Sequence, residues 1–508
     1  MPAPRLRCPE LPATGLHVVE DVHRPDHVWM RHLVKRSTTV TIDATVSPAE
    51  PLRDCIPGGS YLPGDIGYDA ARLPWNVAVD QRPAAVVTPR DPAEVREVVR
   101  IAAECGLKVA PQSTGHNPGP LAARGLENTV LLRTSRMSSV VADPVRGIVR
   151  AEGGALWEPA VDVAADHGAA VLHGSSPDVG VAGYSLGGGI GWYARKLGMA
   201  ANSVTAVELV TGDGSLVRAS AVENAALFWA VRGGGGNFGV VTALEFTMYP
   251  VTSVYAGFML WELTDIEPVL REWASWAPTA PEEVTTSFRA MRFPPLPELP
   301  DFIRGRQIAI IDGAVLDGSD RPEEVLAGLR AKKPLMDTFA HVPTSALKRL
   351  HMDPEGGAPA VSDSTMLAGL PDAAVDAFLD QAGPDAATSL LSVELRQLGG
   401  ALGRPAEGAG ALDRLDGAFA AFGVTIAATP ELGVRGHADA VRLTDALRPF
   451  STGSELLNLQ ENPTDASRAF SAERWSRLRE IRRTVDPRDV FSANHHVPLA
   501  EEAEHASL

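Results

Sequence analysis

RGGGGNFG, residues 232–239, is one of three glycine-rich runs in this sequence. The others are STGH at 113–116 and residues 174–191, which contain SPDVG at 176–180 and GGG at 187–189. Glycine lets a backbone approach a ligand closely and leaves N–H groups free to point at phosphate oxygens. Three such loops in one domain could line a long cofactor that carries phosphate. Each run taken alone also fits a tight turn between two strands.

The segment before the first run has the pattern of a β-α-β unit. Residues 84–88 form an apolar strand, Asp91 and Pro92 occupy the N-cap and first turn of a helix, and Gly106 ends it. Apolar residues recur at helical spacing within that helix, namely Val95, Val98, Val99 and Ala102. A second strand over residues 107–110 then leads into the first glycine run.

Further elements follow at regular intervals. We predict strands over residues 129–133 and 148–151 and a helix over 157–167. A hairpin formed by 204–211 and 215–218 turns at Gly212-Asp213-Gly214. Earlier in the chain, residues 38–42 have a short strand-like pattern.

The sequence pattern changes after Pro250. Tryptophans and a proline-rich connector precede alternating strand and helix patterns up to about residue 450, which predicts a second domain. A last helical pattern covers residues 473–491 and contains Asp486-Pro487.

The segment GIGWYA at 189–194 matches the G-x-G-x-x-A pattern of dinucleotide-binding folds. That pattern requires an apolar strand before it, so that the following helix meets pyrophosphate with its N-terminus. Residues 180–188 are glycine-rich and are predicted to be irregular, and the motif lies far from the first β-α-β unit. A Rossmann domain is therefore not favoured.

Composition excludes several classes of protein. With 508 residues, 45% of them hydrophobic and 21% charged, the chain is long enough for two cores and is not of disordered composition. A net charge of −17 argues against nucleic acid or an anionic membrane as the partner. Cys8, Cys55 and Cys105 lie far apart, so neither a disulfide scaffold nor a zinc site is indicated. We expect a cytoplasmic protein without a targeting or transmembrane segment.

The glycine runs resemble those of the berberine-bridge-enzyme-like flavoproteins, in the vanillyl-alcohol-oxidase superfamily of FAD-linked oxidases. STGH resembles the family loop whose histidine bonds the flavin 8α-methyl group, and SPDVG with GGG resembles the second flavin loop. Residues 232–242 resemble the RGGGGNFG-[IV]-VT strand entry. LNL at 457–459 and DPRDVF at 486–491 resemble the Y-x-N-Y and DP-x-x-x-F elements. The resemblance spans residues 66–498.

The resemblance implies an α+β fold with a PCMH-type two-part FAD-binding domain and an inserted α/β substrate domain, whose antiparallel sheet is backed by helices. It implies an N-terminal arm over residues 1–65, the FAD-binding domain over 66–250, the substrate domain over 251–450, and a C-terminal segment, 451–508, that returns to the FAD domain.

The resemblance also implies the cofactor and its contacts. His116 would carry a single covalent bond to FAD, because the cysteine that makes a second bond in many relatives is replaced by Ser176. The implied cofactor-binding residues are Ser113, Thr114, Gly115, His116, Asn117, Ser176, Pro177, Val179, Gly180, Gly183, Gly187, Gly188, Gly189, Gly239, Val240 and Asn458. No metal site is expected; His495 and His496 are adjacent and would face opposite ways on an extended chain.

The catalytic group is less clearly marked. The tyrosines that serve as bases in relatives correspond to Ile190, Leu456 and Leu459. Glu394 and Arg396 are two apart in a predicted strand and therefore share a face, which in relatives looks at the flavin. Beside Arg396, Glu394 would be a weak base that orients the substrate, although a structural ion pair explains the two residues equally well. Tyr193 and Tyr184, next to the glycine loop, are further candidates for the base, and His351 is a candidate to line the active site.

The expected activity is that of an FAD-dependent oxidase, which removes hydride from an alcohol or similar C–H group of a small molecule or secondary metabolite. Val179 stands at a position associated with access of dioxygen, so dioxygen is the expected electron acceptor and hydrogen peroxide the product. Three alternatives stay open: a non-redox cyclase or isomerase, a dehydrogenase with another acceptor, and a binding protein without turnover.

Overall fold

The computed structural model describes residues 47–316 and 322–499, so the strand expected at 38–42 lies outside the described residues. The α-helices in chain order are α1 Tyr68–Arg72, α2 Pro92–Glu104, α3 Gly119–Ala122, α4 Trp157–Ala165, α5 Val181–Leu186, α6 Ala194–Leu197, α7 Ala200–Ser203, α8 Ala225–Gly234, α9 Ile266–Trp276, α10 Pro322–Val325, α11 Ala327–Arg330, α12 Asp372–Ala382, α13 Pro430–Leu447 and α14 Ala472–Val485. Within the described ranges, every helix is too short or too polar to span a bilayer.

The first sheet contains the predicted β-α-β unit. Its strands are β1 Ser60–Tyr61, β2 Ala85–Val87, β3 Lys108–Gln112 and β4 Thr129–Arg133, in the order β1-β2-β4-β3. Asp91 caps α2 by accepting the Glu94 amide, and the apolar face of α2 packs on this sheet. Residues 47–65 also pack on this sheet, because Leu52, Ile56 and Leu62 are buried in the same hydrophobic core. The part of the expected N-terminal arm that the structure describes is therefore built into the sheet.

The second sheet contains the predicted hairpin. Its strands are β5 Val140–Asp143, β6 Ile148–Glu152, β7 Val204–Val210, β8 Leu216–Ser220 and β9 Val240–Thr247, in the order β5-β6-β9-β7-β8. All pairings are antiparallel. The glycine runs therefore leave the ends of two sheets: STGH follows β3, and RGGGGNFG precedes β9.

The third sheet is the largest of those in the described ranges. Its strands are β10 Ser253–Glu262, β11 Val284–Arg292, β12 Gln307–Leu316, β13 Met336–Asp337, β14 Ala340–Pro343, β15 Ala360–Leu367, β16 Ser392–Gln397 and β17 Phe419–Ile426. The order is β13-β10-β12-β11-β16-β17-β15, with β14 also paired to β10, and the pairings are antiparallel. This is the antiparallel sheet expected between the two parts of the first domain.

Alternation along the strands gives the third sheet two different faces. One face packs against α9, α12 and α13 through a core that includes Trp273, Phe288, Leu395 and Phe419. The alternate residues along the same strands point to the opposite face, which carries Ser287, Arg289, Asp312, Glu394 and Arg396. Burying so many polar groups on one sheet face requires that they bond one another or a ligand.

Two sequence expectations are corrected. Residues 180–188 were expected to be irregular but contain α5, because Val181, Ala182, Ser185 and Leu186 are buried on one side of it and packing outweighs the low helix propensity of glycine. The C-terminal helix ends at Val485 rather than continuing to 491, since Asp486 turns to accept the amides of Val490 and Phe491.

Arg195 joins α6 to the third sheet. Its guanidinium is buried and donates to the carbonyls of Ala280, Pro281, Val284 and Leu398 at 2.5–3.1 Å. These carbonyls lie at the start of β11 and just beyond β16. One side chain thus ties the segment after the GGG run to the middle strands of the third sheet.

Candidate functional site

The first glycine run presents His116 in a fixed setting. Its ring stacks on Trp75 with 4.2 Å between centroids and 18° between planes, and Nδ1 is 2.7 Å from Thr114 Oγ1. Gly115 has φ +76°, and a Cβ there would come within 2.9 Å of Gln112 Oε1. Glycine is therefore required to turn the chain so that His116 reaches this position.

Asp178 connects the second run to the first. Trp75 Nε1, Ser176 Oγ and the Gly356 amide donate to its carboxylate at 2.7–2.9 Å, and His116 Nε2 lies 3.5 Å from Oδ1. Burial alone would raise the pKa of Asp178, but the neighbouring His116 and the hydrogen bonds from Gly356, Trp75 and Ser176 hold it below the ordinary range. The carboxylate is therefore ionised beside the imidazole at neutral pH.

Asn458 brings the C-terminal segment to the same loops. Its Oδ1 accepts the Gly189 amide at 3.0 Å, and its Nδ2 donates to the Tyr184 carbonyl at 3.2 Å. A Cβ on Gly187 or Gly188 would lie 3.0–3.2 Å from the Asn458 amide. Asn117 makes a second connection by donating to the Gln460 carbonyl at 2.8 Å. Five segments separated in sequence thus meet here, namely residue 75, residues 113–117, residues 176–189, residue 356 and residues 458–460.

The third run packs differently. Asn237 donates to the His495 carbonyl and accepts the Val497 amide, which fixes the run to the C-terminal segment. Gly239 sits where a Cβ would be 2.8 Å from Leu209 Cδ1, and Val240 opens β9 opposite Val210 in the hydrophobic core. The structure thus brings Ser113, His116, Asn117, Ser176, Gly180, Gly187, Gly188, Gly189 and Asn458 together, whereas Gly239 and Val240 pack against β7.

The remaining expected loop residues fall around this point. Pro177 and Val179 precede α5, with their carbonyls accepting the amides of Glu158 and Trp157 at 2.9 and 3.0 Å. Gly183 is exposed, and a Cβ there would meet nothing within 4 Å. Gly183 is thus the position in the loop cluster where close approach by a ligand is open.

Several buried polar atoms in this region have no hydrogen-bond partner among the residues that the structure describes. They are Ser113 Oγ, His116 Nε2, Asn117 Oδ1, His173 Nε2, Tyr184 OH, Trp192 Nε1 and Tyr193 OH. Buried polar groups in folded proteins are almost always bonded, so a concentration of unbonded ones indicates a polar ligand. The atoms combine donors and acceptors, as an isoalloxazine ring with its ribityl chain would require.

Glu394 and Arg396 form the ion pair expected on the polar face of the third sheet. Arg396 Nε donates to Glu394 Oε1 at 2.8 Å and Nη2 donates to Oε2 at 3.1 Å, while Ser287 Oγ donates to Oε1 at 2.7 Å. Burial would raise the pKa of Glu394, yet the charge of Arg396 and these hydrogen bonds lower it to about 2. Glu394 is therefore a weak base, as the sequence predicted.

His351 lies against this pair. Its Nδ1 is 2.8 Å from Asp312 Oδ2, and Asp312 also accepts a hydrogen bond from Arg289, which in turn donates to the His351 carbonyl at 3.0 Å. His351 Nε2 is 3.8 Å from Glu394 Oε2 and 4.0 Å from Asp353 Oδ1. We call Arg289, Asp312, His351, Glu394 and Arg396 the buried polar cluster. Asp312 thus holds one ring nitrogen, and the other faces Glu394 and Asp353.

The two tyrosines differ in their surroundings. Burial raises the pKa of Tyr184, and the charge of Arg396 partly offsets that rise, so this phenol lies within electrostatic reach of the buried polar cluster. Tyr193 packs edge-on against His173 at 5.8 Å between ring centroids, and burial raises its pKa. Burial also lowers the pKa of His173 to about 4, so the ring beside Tyr193 is neutral.

Four of these residues escaped the sequence analysis as site residues: Trp75, Asp178, Arg289 and Asp312. Asp312 carried a usable signal, because it is the one charged residue in the otherwise apolar run 308–316. Asp178 stood inside the quoted motif SPDVG. Trp75 carried no such signal, since its contact with His116 joins residues far apart in the chain.

Comparison with known proteins shows what the fold and the site resemble. Residues 83–220 match the family described as FAD binding domain. The structural neighbours are berberine-bridge-enzyme-like enzymes and carbohydrate oxidases of the vanillyl-alcohol-oxidase superfamily, and the expected α+β, PCMH-type fold is confirmed. The buried unbonded atoms and the open face at Gly183 fit FAD.

Particular relatives are the following. Physcomitrella patens BBE-like 1 superposes with a TM-score of 0.77 at 21% identity, covering 88% of this chain and 99% of the other. The 6-hydroxy-D-nicotine oxidase of Arthrobacter nicotinovorans gives 0.75 at 25% identity, covering 87% and 98%.

In sequence, (R)-6-hydroxynicotine oxidase from Paenarthrobacter nicotinovorans is 35% identical over 41% of this chain and 45% of its own length. The carbohydrate oxidase of Microdochium nivale is 33% identical over 44% of this chain and 46% of its own. The match thus spans less than half the length of these curated relatives.

Proposed function

We propose that this protein is an FAD-dependent oxidase that acts on a small molecule and uses dioxygen as its electron acceptor. The observation that carries the proposal is that the first two glycine runs meet Asn458 and also contact the polar side of the third sheet, where Ser175 Oγ donates to Asp353 beside His351. The oxidase names of the relatives and the FAD-binding match over residues 83–220 support it. When bound, FAD would accept the hydride from the substrate carbon.

The loops would hold the cofactor through backbone and short polar side chains. We assign this role to Ser113 through Asn117, to Ser176 through Gly180, and to the glycines of α5 and the GGG run. Asn458 would fix the second loop by its two bonds to Gly189 and Tyr184. Gly239 and Val240 would act indirectly, by setting where β9 begins.

His116 would carry one covalent bond to the cofactor. The ring is held in place by Trp75, which stacks on it, and by Thr114, whose Oγ1 lies 2.7 Å from Nδ1. A second bond through sulfur is not expected, because Ser176 is the residue at the corresponding place and its hydroxyl donates to Asp178.

The buried polar cluster would handle the substrate proton. Arg396 and Glu394 would orient a substrate hydroxyl or amine by hydrogen bonds. His351 Nε2 would accept its proton, because Asp312 bonds the other ring nitrogen and would stabilise the charged ring that results. The Tyr193 hydroxyl, buried and unbonded, is a further donor in the site.

A non-redox cyclase or isomerase is the second candidate. The observation in its favour is that the positions of the family's phenolic bases are Ile190, Leu456 and Leu459. A dehydrogenase with another acceptor is the third, and Val179 before α5 argues against it. A cytoplasmic location, suggested by the few separated cysteines, is part of the proposal.

Two measurements test the proposal. Acid-precipitated protein should retain yellow flavin, and a colourless pellet with all flavin in the supernatant would refute the covalent bond. An anaerobic spectral screen with alcohols, oligosaccharides, cyclic amines and polycyclic phenols should then bleach the oxidised-flavin band with at least one class. Turnover of a screened compound without any bleaching would favour the non-redox role; bleaching that reverses slowly in air would favour the dehydrogenase.

A further inference from the structure

His116 and Asp178 form a pair that the loop motifs alone do not explain. Asp178 Oδ1 faces His116 Nε2 at 3.5 Å, while Trp75 both stacks on the imidazole and donates its Nε1–H to the same carboxylate at 2.7 Å. The indole therefore fixes two things together, the plane of the ring and the position of the carboxylate.

The carboxylate is also held from other directions. Ser176 Oγ donates to Oδ1 at 2.8 Å, and the Gly356 amide donates to Oδ2 at 2.9 Å. With Trp75 Nε1–H, the carboxylate therefore accepts three hydrogen bonds, which fix its orientation more firmly than that of an exposed aspartate in a turn. They orient the carboxylate toward the imidazole, whose other nitrogen is occupied by Thr114 Oγ1 at 2.7 Å.

We infer that Asp178 is a positioning residue for covalent attachment of the cofactor: it keeps the ring proton of His116 on Nε2, so that Nδ1 holds the lone pair that forms the bond. This rests on the proposed function, in which His116 bonds FAD. Thr114 would donate to that lone pair until the cofactor is seated. As the C–N bond forms, Asp178 would stay ionised and stabilise the positive charge on the imidazole, by the same tautomer control that an aspartate exerts in a catalytic triad.

The net reaction balances with dioxygen as the oxidant. The N–H bond of His116 and one C–H bond of the cofactor's 8α-methyl group are lost, and a C–N bond is gained. The two protons and two electrons released convert one dioxygen to hydrogen peroxide. The Nε2 proton passes to solvent, and Asp178 stays ionised throughout.

The test measures attachment rather than turnover. Full-length protein is made in riboflavin-limited cells, FAD is added in air, and the flavin retained on the denatured polypeptide is followed with time by in-gel fluorescence. Asp178→Asn should bind FAD without covalent attachment or attach it about 100-fold more slowly, since holding an imidazole in the required tautomer is worth at least that factor. Asp178→Glu should recover part of the rate. Asp54→Asn, on an exposed turn, is the control and should match wild type.

Each outcome decides. If Asp178→Asn attaches FAD at the wild-type rate, the inference is wrong. If wild type carries no covalent flavin, the covalent bond in the proposed function is wrong, and this inference fails with it. In that case His116→Ala and wild type would retain equally little flavin on the denatured polypeptide. Should Asp178→Asn not fold, Trp75→Phe keeps a stacked ring but removes the Nε1–H; attachment slowed by about tenfold supports the inference, and an unchanged rate overturns it.

Discussion

Asp312 Oδ2 lies 2.8 Å from His351 Nδ1, and both residues are buried. Asp312 projects from the centre of the third sheet, whereas His351 comes from the loop after residue 349. Arg289 closes the arrangement by bonding Asp312 and the His351 carbonyl. The imidazole is thus oriented by a buried ion pair and presents Nε2 to Glu394.

This arrangement predicts the effect of replacing His351. His351→Gln should slow anaerobic flavin reduction by about 100-fold or more with the substrate that the spectral screen identifies, because the proton acceptor is removed. Flavin content should stay at the wild-type level. His341→Gln, on exposed β14, is the matched control and should reduce at the wild-type rate. An unimpaired His351→Gln would assign the proton to another group.

The open face at Gly183 separates cofactor binding from stability. Gly183→Ala adds a methyl group that meets no protein atom within 4 Å, and alanine favours the helix by roughly 0.5–1 kcal/mol. The cofactor-free protein should therefore melt no lower than wild type, while the bound flavin per chain falls. Gly369→Ala also meets nothing within 4 Å but lies beyond β15, so it should leave flavin content unchanged. Full flavin content in Gly183→Ala would contradict the assignment of this face.

Glu461 predicts a pH dependence of stability. Burial raises its pKa to about 7 despite the hydrogen bond from Ser362 Oγ, compared with 4.5 for an ordinary glutamate. The folded state thus holds more protons than the unfolded state between these values, so stability falls as pH rises from 4.5 to about 7. Glu461→Gln should remove that fall, with a gain over wild type at pH 8 that is absent at pH 4, in denaturant unfolding.

A glutamate whose pKa is shifted in the opposite direction provides the control. The exposed Glu431 has a pKa lowered by its own backbone amide and by Thr429, so its ionised form favours the folded state. Glu431→Gln should lose stability relative to wild type at pH 8 and not at pH 4. If both glutamine variants shift in the same direction, the burial of Glu461 does not govern the pH profile.

Arg195 predicts a large loss of stability. Arg195→Ala leaves four buried carbonyls without their donor, which should cost on the order of 3 kcal/mol or more in denaturant unfolding. Arg195→Lys should recover only part, since an ammonium group lacks the planar fork that reaches all four. Lys196→Ala removes only an exposed ion pair with Glu283 and should cost much less than Arg195→Ala. Equal losses at the two positions would show that Arg195 is not a special connection.

Sequence reasoning succeeded where the chemistry is local. The N-cap at Asp91, the hairpin turn at Gly212-Asp213-Gly214 and the shared face of Glu394 and Arg396 depend only on neighbouring residues. The helix α5 was missed because Gly183 and Gly187 lower its propensity, and its stability comes from packing by Val181 and Leu186.

The site itself was predictable only in part. His116 and Asn458 stand in recognisable motifs, but their neighbours come from strand pairing and loop packing over long separations. The contact of Asp312 with His351 spans 39 positions, and that of Trp75 with Asp178 spans 103. No local pattern specifies such pairs, because each depends on the register of strands that other residues determine.

The anchoring of Arg195 restricts how a reactant can arrive. Tilting the third sheet away from the glycine loops would break four hydrogen bonds of a desolvated cation at once, an expense too great to incur in every catalytic cycle. In the proposed oxidase, molecules would then enter and leave along the rim between sheet and loops. Selection among candidate substrates would depend on their width and on the polarity of that rim, with no contribution from a large closing motion.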